Sequence, residues 1–136
     1  YRYRVLAQPV ADPFERGRAL HWPRPLDRDV LDACAQALRG THDFTAFTLT
    51  QTHHTRFERD VTRAEWVEED GGVLAFWIEA DSFMRRMVRT LVGTMLAVGS
   101  GRLSADHFER LLEGRPRPEA GDAAAAHGLY LESVRY

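Results

Sequence analysis

Arginine is an unusual choice for the opening of an apolar helix, yet the stretch FMRRMVRTLVGTMLAVGSGR, residues 83–102, places Arg85, Arg86 and Arg89 there. At 100° steps, Met84, Met87, Val88, Leu91, Met95 and Val98 share one stripe, which marks the core face. Arg86 points roughly opposite, toward solvent. Arg85 and Arg89 fall on the edge of the stripe, in the same column as Val92 and Leu96. Two readings of Arg89 follow. One is a boundary residue that lays its methylenes on apolar surface and keeps its charge in water. The other is a partly desolvated guanidinium awaiting a carboxylate or phosphate. Cations near a helix N-terminus oppose the macrodipole, so three of them within two turns carry a small cost that a partner would offset.

A second set of residues has ligand chemistry: His42, Asp43, His53, His54 and Glu58. The adjacent pair in QTHHT lacks the i, i+4 helical spacing that turns two imidazoles onto one metal, and no other cluster supports it. Exposed loop histidines are the simpler reading, and no metal is expected.

The elements that must position these residues are legible from periodicity. YRYRV, residues 1–5, alternates aromatic and arginine as a half-exposed strand does. After a Pro- and Arg-containing loop, LDRDVLDACAQALRG predicts a helix with Asp27 as N-cap and Gly40 at C′. THDFTAF predicts a capped turn anchored by Phe44 and Phe47. Residues 56–68 are extended, Gly71-Gly72 offers a tight turn, and VLAFWIEA predicts a central strand. Asp81 or Ser82 is the expected cap of the long helix, and Gly99-Ser100-Gly101 its stop. Ser104 predicts a shorter helix with Phe108, Leu111 and Leu112 on one face. A loop over 114–122 leads to GLYLESVRY, a closing strand. The order β, α, β, β, α, α, β points to an α+β fold, with a mixed, mostly antiparallel sheet and helices packed on one face.

Composition sets the bounds. A chain of 136 residues is one domain by prior, able to bury about two thirds of its unfolded surface. The 44% hydrophobic and 28% charged fractions are those of an ordinary globular protein, and no apolar run reaches the roughly 18 residues of a membrane span. Beginning at Tyr1, already inside a strand pattern, the sequence reads as a piece of a longer protein. The lone Cys34 excludes an intrachain disulfide and suits a reducing cytoplasm. A net charge of −2 does not announce a nucleic-acid binder. All 18 basic residues are arginine, however, whose planar guanidinium suits phosphate and bases; genome composition explains the same bias.

FMRRMVRTLVGTMLAVGSG resembles the F-x-x-x-M-V-R-x-x-V-G-x-x-x-x-V-G signature of the tRNA pseudouridine synthase I (TruA) family. Other family motifs follow in order: YRY at the start, PLD before a helix, LRGTHDFTAF, RDV, and GLYL near the end. The resemblance covers essentially the whole chain and implies the C-terminal domain of such an enzyme, residues 1–136, in the pseudouridine synthase fold. It implies conversion of tRNA uridines to pseudouridine at positions 38, 39 and 40 of the anticodon stem-loop, without cofactor or metal, by a cytoplasmic homodimer. The family's nucleophilic aspartate lies in a G-R-T-D-x-G-V-H-A motif that these 136 residues lack. The chain alone is therefore expected to be inactive, and Asp60 of ERDV is not that nucleophile.

Three roles are implied residue by residue. Tyr1 would lie beneath the flipped uracil and assist proton removal from C5. Arg89 would pair with the catalytic aspartate, and Leu129 would wall the uracil pocket. Arg85 is a candidate substrate contact, where RNA phosphate and a solvated helix face are both open readings. The family often has asparagine at the position of Thr90 and histidines at those of Arg85 and Arg86. RPRPEAGDAAAAHGLYL also departs from its common P-x-A-P-x-x-G-L form. The competing reading is a non-enzymatic RNA-binding or dimerisation module.

Overall fold

In the computed structural model, which describes residues 1–49 and 56–134, a mixed sheet carries three helices on one face. The strands are β1 (Arg2–Leu6), β2 (Leu20–His21), β3 (Gly40–Asp43), β4 (Glu58–Glu69), β5 (Val73–Ala80) and β6 (Leu129–Tyr130). The sheet order is β2-β1-β5-β4-β3, with β6 also paired to β1. Only β1–β2 is parallel among these pairs. The helices are α1 (Arg28–Leu38), α2 (Met87–Gly99) and α3 (Ala105–Leu111). The expected α+β architecture is what forms.

Period two explains the two faces of the sheet. Tyr3, Val5, Phe76 and Ile78 are fully buried on the helix side, joined by Ala64 and Trp66 of β4. Arg2, Arg4, Arg63 and Trp77 line the other side. There Arg4 pairs with Glu15 and Glu69 at 2.8 and 2.9 Å, and Arg2 with Glu69 at 2.9 Å. Trp77 lies under both Arg2 and Arg63, at 5.3 and 4.9 Å from its ring centre. These guanidinium groups are already committed to carboxylates and aromatic faces.

α1 starts where Asp27 accepts a hydrogen bond from Val30 N at 3.2 Å, the expected N-cap. It ends with Gly40 at φ +96°, which turns the chain straight into β3. Its Leu31, Cys34, Ala35 and Leu38 are buried against the core. Phe44 and Phe47 are fully buried, and Phe47 stacks toward Phe108 of α3 at 6.1 Å. α3 is capped as expected, Ser104 Oγ accepting from His107 N at 3.0 Å. α2 is buried almost all round: Leu91, Val92, Met95 and Leu96 are fully enclosed. Each such side chain contributes roughly 1.5–3 kcal/mol of burial free energy, which makes α2 the axis of the core.

Four expectations are corrected. α2 begins at Met87, not at Asp81 or Ser82, because Asp81 has other partners. Its carboxylate accepts from Asp60 N and Ser82 N at 3.0 and 2.9 Å and pairs with Arg56 at 2.9 Å. Arg85 and Arg86 therefore sit in the turn before α2. Arg86 is its N-cap in the left-handed region, φ +61°. Residues 40–43 form an edge strand, Gly40–Asp43 pairing with Glu58–Val61 of β4, where only a turn was expected. The first loop contributes the short β2. Among the described residues the closing strand is confined to Leu129–Tyr130, after which Glu132 pairs with Arg2 at 2.8 Å.

Candidate active site

Tyr1, just before β1, is placed by its carbonyl, which accepts a hydrogen bond from Ile78 N of β5 at 3.0 Å. Its ring meets Phe83 edge-on, centroids 5.0 Å apart and planes at 89°. Arg89 stands in the first turn of α2. Leu129 arrives on β6, held opposite Tyr3 by the β1–β6 ladder. Arg85 hangs from the turn before α2, where its carbonyl accepts from the buried Thr48 hydroxyl at 3.2 Å. All four residues line one cleft of about 290 Å³, together with Phe83 and Arg86. Residues from the two ends of the chain and its middle thus converge on one hollow. Two larger hollows, about 440 and 600 Å³, contain none of the four.

The electrostatics of the cleft differ from those of the outer sheet face. Arg85 and Arg86 are exposed and Arg89 is half-buried. Among the described residues, no ion pair involves any of them. Arg89 instead donates from Nε to the Ala124 carbonyl at 2.7 Å, and its own carbonyl accepts from Ala124 N at 2.9 Å. That fixes the plane of the guanidinium while Nη1 and Nη2 have no hydrogen-bond partner among the described residues. Two parallel donors on a held plane are what a carboxylate or phosphate takes in bidentate fashion. The macrodipole cost expected of three helical cations falls largely on Arg89, since the other two precede the helix.

Directly behind the cleft sits Tyr3, fully buried, its hydroxyl donating to the Ala125 carbonyl at 2.5 Å. Burial pushes its phenol up to about 12, against the opposing pull of the Arg89 charge. Sequence reasoning did not single out Tyr3, Phe83 or Thr48. The signal for Tyr3 was present: period two puts it on the same face of β1 as Tyr1.

The other candidate ligands stay apart from this cleft. His42 donates from Nε2 to the Arg39 carbonyl at 2.9 Å, and Asp43 caps the next turn by accepting from Thr45 N at 2.9 Å. His53 and His54 lie outside the described residues. Among those described, no group of three or more His, Cys, Asp or Glu is placed to hold a metal ion.

The comparison with known proteins decides the family. Residues 34–136 match the family model of tRNA pseudouridine synthase. The chain belongs to the tRNA pseudouridine synthase family. It is 36% identical over 137 residues to tRNA pseudouridine synthase A of Streptococcus thermophilus (strain CNRZ 1066), covering 100% of this chain and 55% of that protein. The corresponding protein of Streptococcus mutans serotype c is 40% identical over 126 residues, 92% of this chain and 51% of that one. The chain spans about half the length of the curated relatives it matches.

Proposed function

We propose that this chain is the C-terminal domain of a tRNA pseudouridine synthase, which isomerises uridine to pseudouridine in the anticodon stem-loop, at positions 38–40. The reading is supported most by one observation: Tyr1, Arg89, Leu129 and Arg85 line a single cleft. The nucleophilic aspartate is supplied by a segment outside these 136 residues. Arg89 faces that aspartate with its two Nη groups and keeps it ionised, as an adjacent cation does. The extruded uracil stacks on Tyr1, whose phenol lies where a proton leaves C5 after the base has been released, rotated and rejoined. Leu129 and Phe83 supply an apolar wall that excludes water. Arg85 contacts the RNA backbone at the rim. The working enzyme is a cytoplasmic homodimer that acts on tRNA without a cofactor.

Tritium release from 5-tritiated uridine in tRNA tests the reading. The full-length protein should release tritium without added metal, and this chain alone should release none. Its coding sequence upstream of Tyr1 should contain a G-R-T-D stretch. Turnover by the chain alone would refute the assignment of the nucleophile elsewhere. A full-length protein that binds tRNA but never turns over would favour the binding-module reading.

A further inference from the structure

Residues 121–128 form a strap laid along α2, and its contacts with the cleft are unusually specific. Gly93 of α2 admits it so closely that a Cβ there would lie 1.8 Å from the Asp122 carbonyl oxygen. At the near end, Ala124 grips Arg89 twice, its N–H donating to the Arg89 carbonyl and its own carbonyl accepting from Nε, at 2.9 and 2.7 Å. The very next carbonyl, that of Ala125, accepts the Tyr3 hydroxyl at 2.5 Å. The Tyr3 ring is itself locked, since a Cβ on Gly128 would come within 2.8 Å of its Cε1 and Cζ. At the far end the strap is tied separately, Gly121 N donating to Thr94 Oγ1 at 3.0 Å.

We propose that Tyr3 is a positioning residue for the reaction: its hydroxyl fixes the Ala125–Ala126 peptide, and through it the adjoining Ala124–Ala125 peptide, whose carbonyl aims the Arg89 guanidinium into the cleft. The inference rests on the functional reading above, in which Arg89 meets the catalytic aspartate. Packing alone does not explain a tyrosine here, because phenylalanine would fill the same space beside Gly128. What the hydroxyl adds is one bond, made to the carbonyl adjacent to the one that holds Nε. A phenol shifted up to about 12 by burial remains a donor across the physiological range, so the bond is constant rather than switched. A guanidinium is planar, and one anchored Nε determines where both Nη groups point. Loosening the peptide by a few tenths of an ångström would therefore misdirect the bidentate pair without removing any group that touches substrate.

The test measures single-turnover rate, tRNA affinity and melting temperature in the full-length protein for Tyr3→Phe, Thr94→Val, Arg89→Lys and Tyr3→Phe with Arg89→Lys. Tyr3→Phe should slow turnover about tenfold, the rate equivalent of one ordinary hydrogen bond, with tRNA affinity unchanged within about twofold. Thr94→Val unties the strap at its far end. It should lower the melting temperature comparably and leave the rate within about twofold, which a purely structural role for Tyr3 does not predict. On the Arg89→Lys background, Tyr3→Phe should cost less than about twofold, because the group it aims is gone. Three results would overturn the proposal: an unchanged rate for Tyr3→Phe, the same tenfold loss on both backgrounds, or an equal loss from Thr94→Val. A parent protein inactive on tRNA would instead overturn the functional reading, and the proposal with it.

Discussion

Replacing Arg89 by methionine separates chemistry from packing, and the structure determines how each should respond. Methionine keeps an unbranched apolar stem in the cleft wall but deletes both the charge and the Nε donor. The Ala124 carbonyl, now receiving a bond of 2.7 Å inside a residue only 6% exposed, loses its partner. An acceptor left this way costs about 1–3 kcal/mol, so the variant should melt at a lower temperature rather than gain stability from an apolar side chain. On the proposed pairing with a catalytic aspartate, buried in the full-length protein, the catalytic cost should be larger. Breaking a buried charge pair by removing one partner costs about 3–5 kcal/mol, which at about 1.4 kcal/mol per decade is two to four decades in rate. The assay is single-turnover tritium release from 5-tritiated uridine in tRNA by the full-length protein, run well below both melting temperatures. Arg86→Met is the control, because Arg86 is exposed and makes no side-chain hydrogen bond among the described residues. With tRNA saturating it should slow the reaction less than about threefold, because a contact of Arg86 with the RNA backbone acts on binding and not on the chemical step. Equal, small losses for the two variants would refute the special role of Arg89 and return it to a boundary residue.

Gly93→Ala should destabilise by about 1–3 kcal/mol in urea denaturation, because its Cβ would collide with the strap; an unchanged midpoint would mean that the strap does not sit on α2. Arg85→Gln with Arg86→Gln should weaken tRNA binding and flatten the dependence of log affinity on log salt by about 0.7–0.9 for each phosphate no longer neutralised, measured by filter binding; an unaltered slope would place the RNA elsewhere. Acid should cost stability through Glu69: burial alone would raise its carboxyl, but hydrogen bonds from Arg4 and Arg2 outweigh this and hold it below the ordinary value of 4.5. A depressed folded-state value stabilises above the unfolded value and is lost as pH falls through the folded one. Melting temperatures should therefore drop below about pH 4.5 less steeply in Glu69→Gln than in the parent, and parallel curves would contradict the assignment.

Where periodicity and capping act locally, the sequence was enough. α1 lies where Asp27 and Gly40 bracket an apolar repeat, α3 starts at Ser104, and VLAFWIEA is the central strand β5. The errors arise where a distant partner decides. Asp81 and Ser82 carry good capping chemistry, but Asp60 of β4 and Arg56 just before that strand compete for the Asp81 carboxylate, and α2 starts one turn later. Gly40–Asp43 has poor strand propensity and becomes β3 because the long β4 offers it a complete set of partners. The short β2 exists because β1 lends it Val5 and Leu6. Pairing of that kind is tertiary information and leaves no local trace.

The same division runs through the candidate site. Of the cleft residues, Arg89 stands out by its place on the edge of an apolar stripe, whereas Tyr1 and Leu129 are singled out only through resemblance to the family. The strap that holds Arg89 was not legible, since Ala124 and Ala125 act through their backbone carbonyls, which every residue has. Nor could composition reveal which cations matter. Eighteen arginines with a net charge of −2 say nothing about which of them are neutralised or where the others gather. Arg2, Arg4 and Arg63 are held by carboxylates on the outer sheet face. Arg85, Arg86 and Arg89 line the cleft without one among the described residues. Arg16, Arg24 and Arg102 also have no ion pair among the described residues, so what the cleft adds is three such cations lining one hollow, where their fields on an anion add. Of the three, only Arg89 is anchored by its side chain, through Nε to the Ala124 carbonyl, and that anchorage fixes one direction for its guanidinium while the exposed Arg85 and Arg86 have no such bond among the described residues.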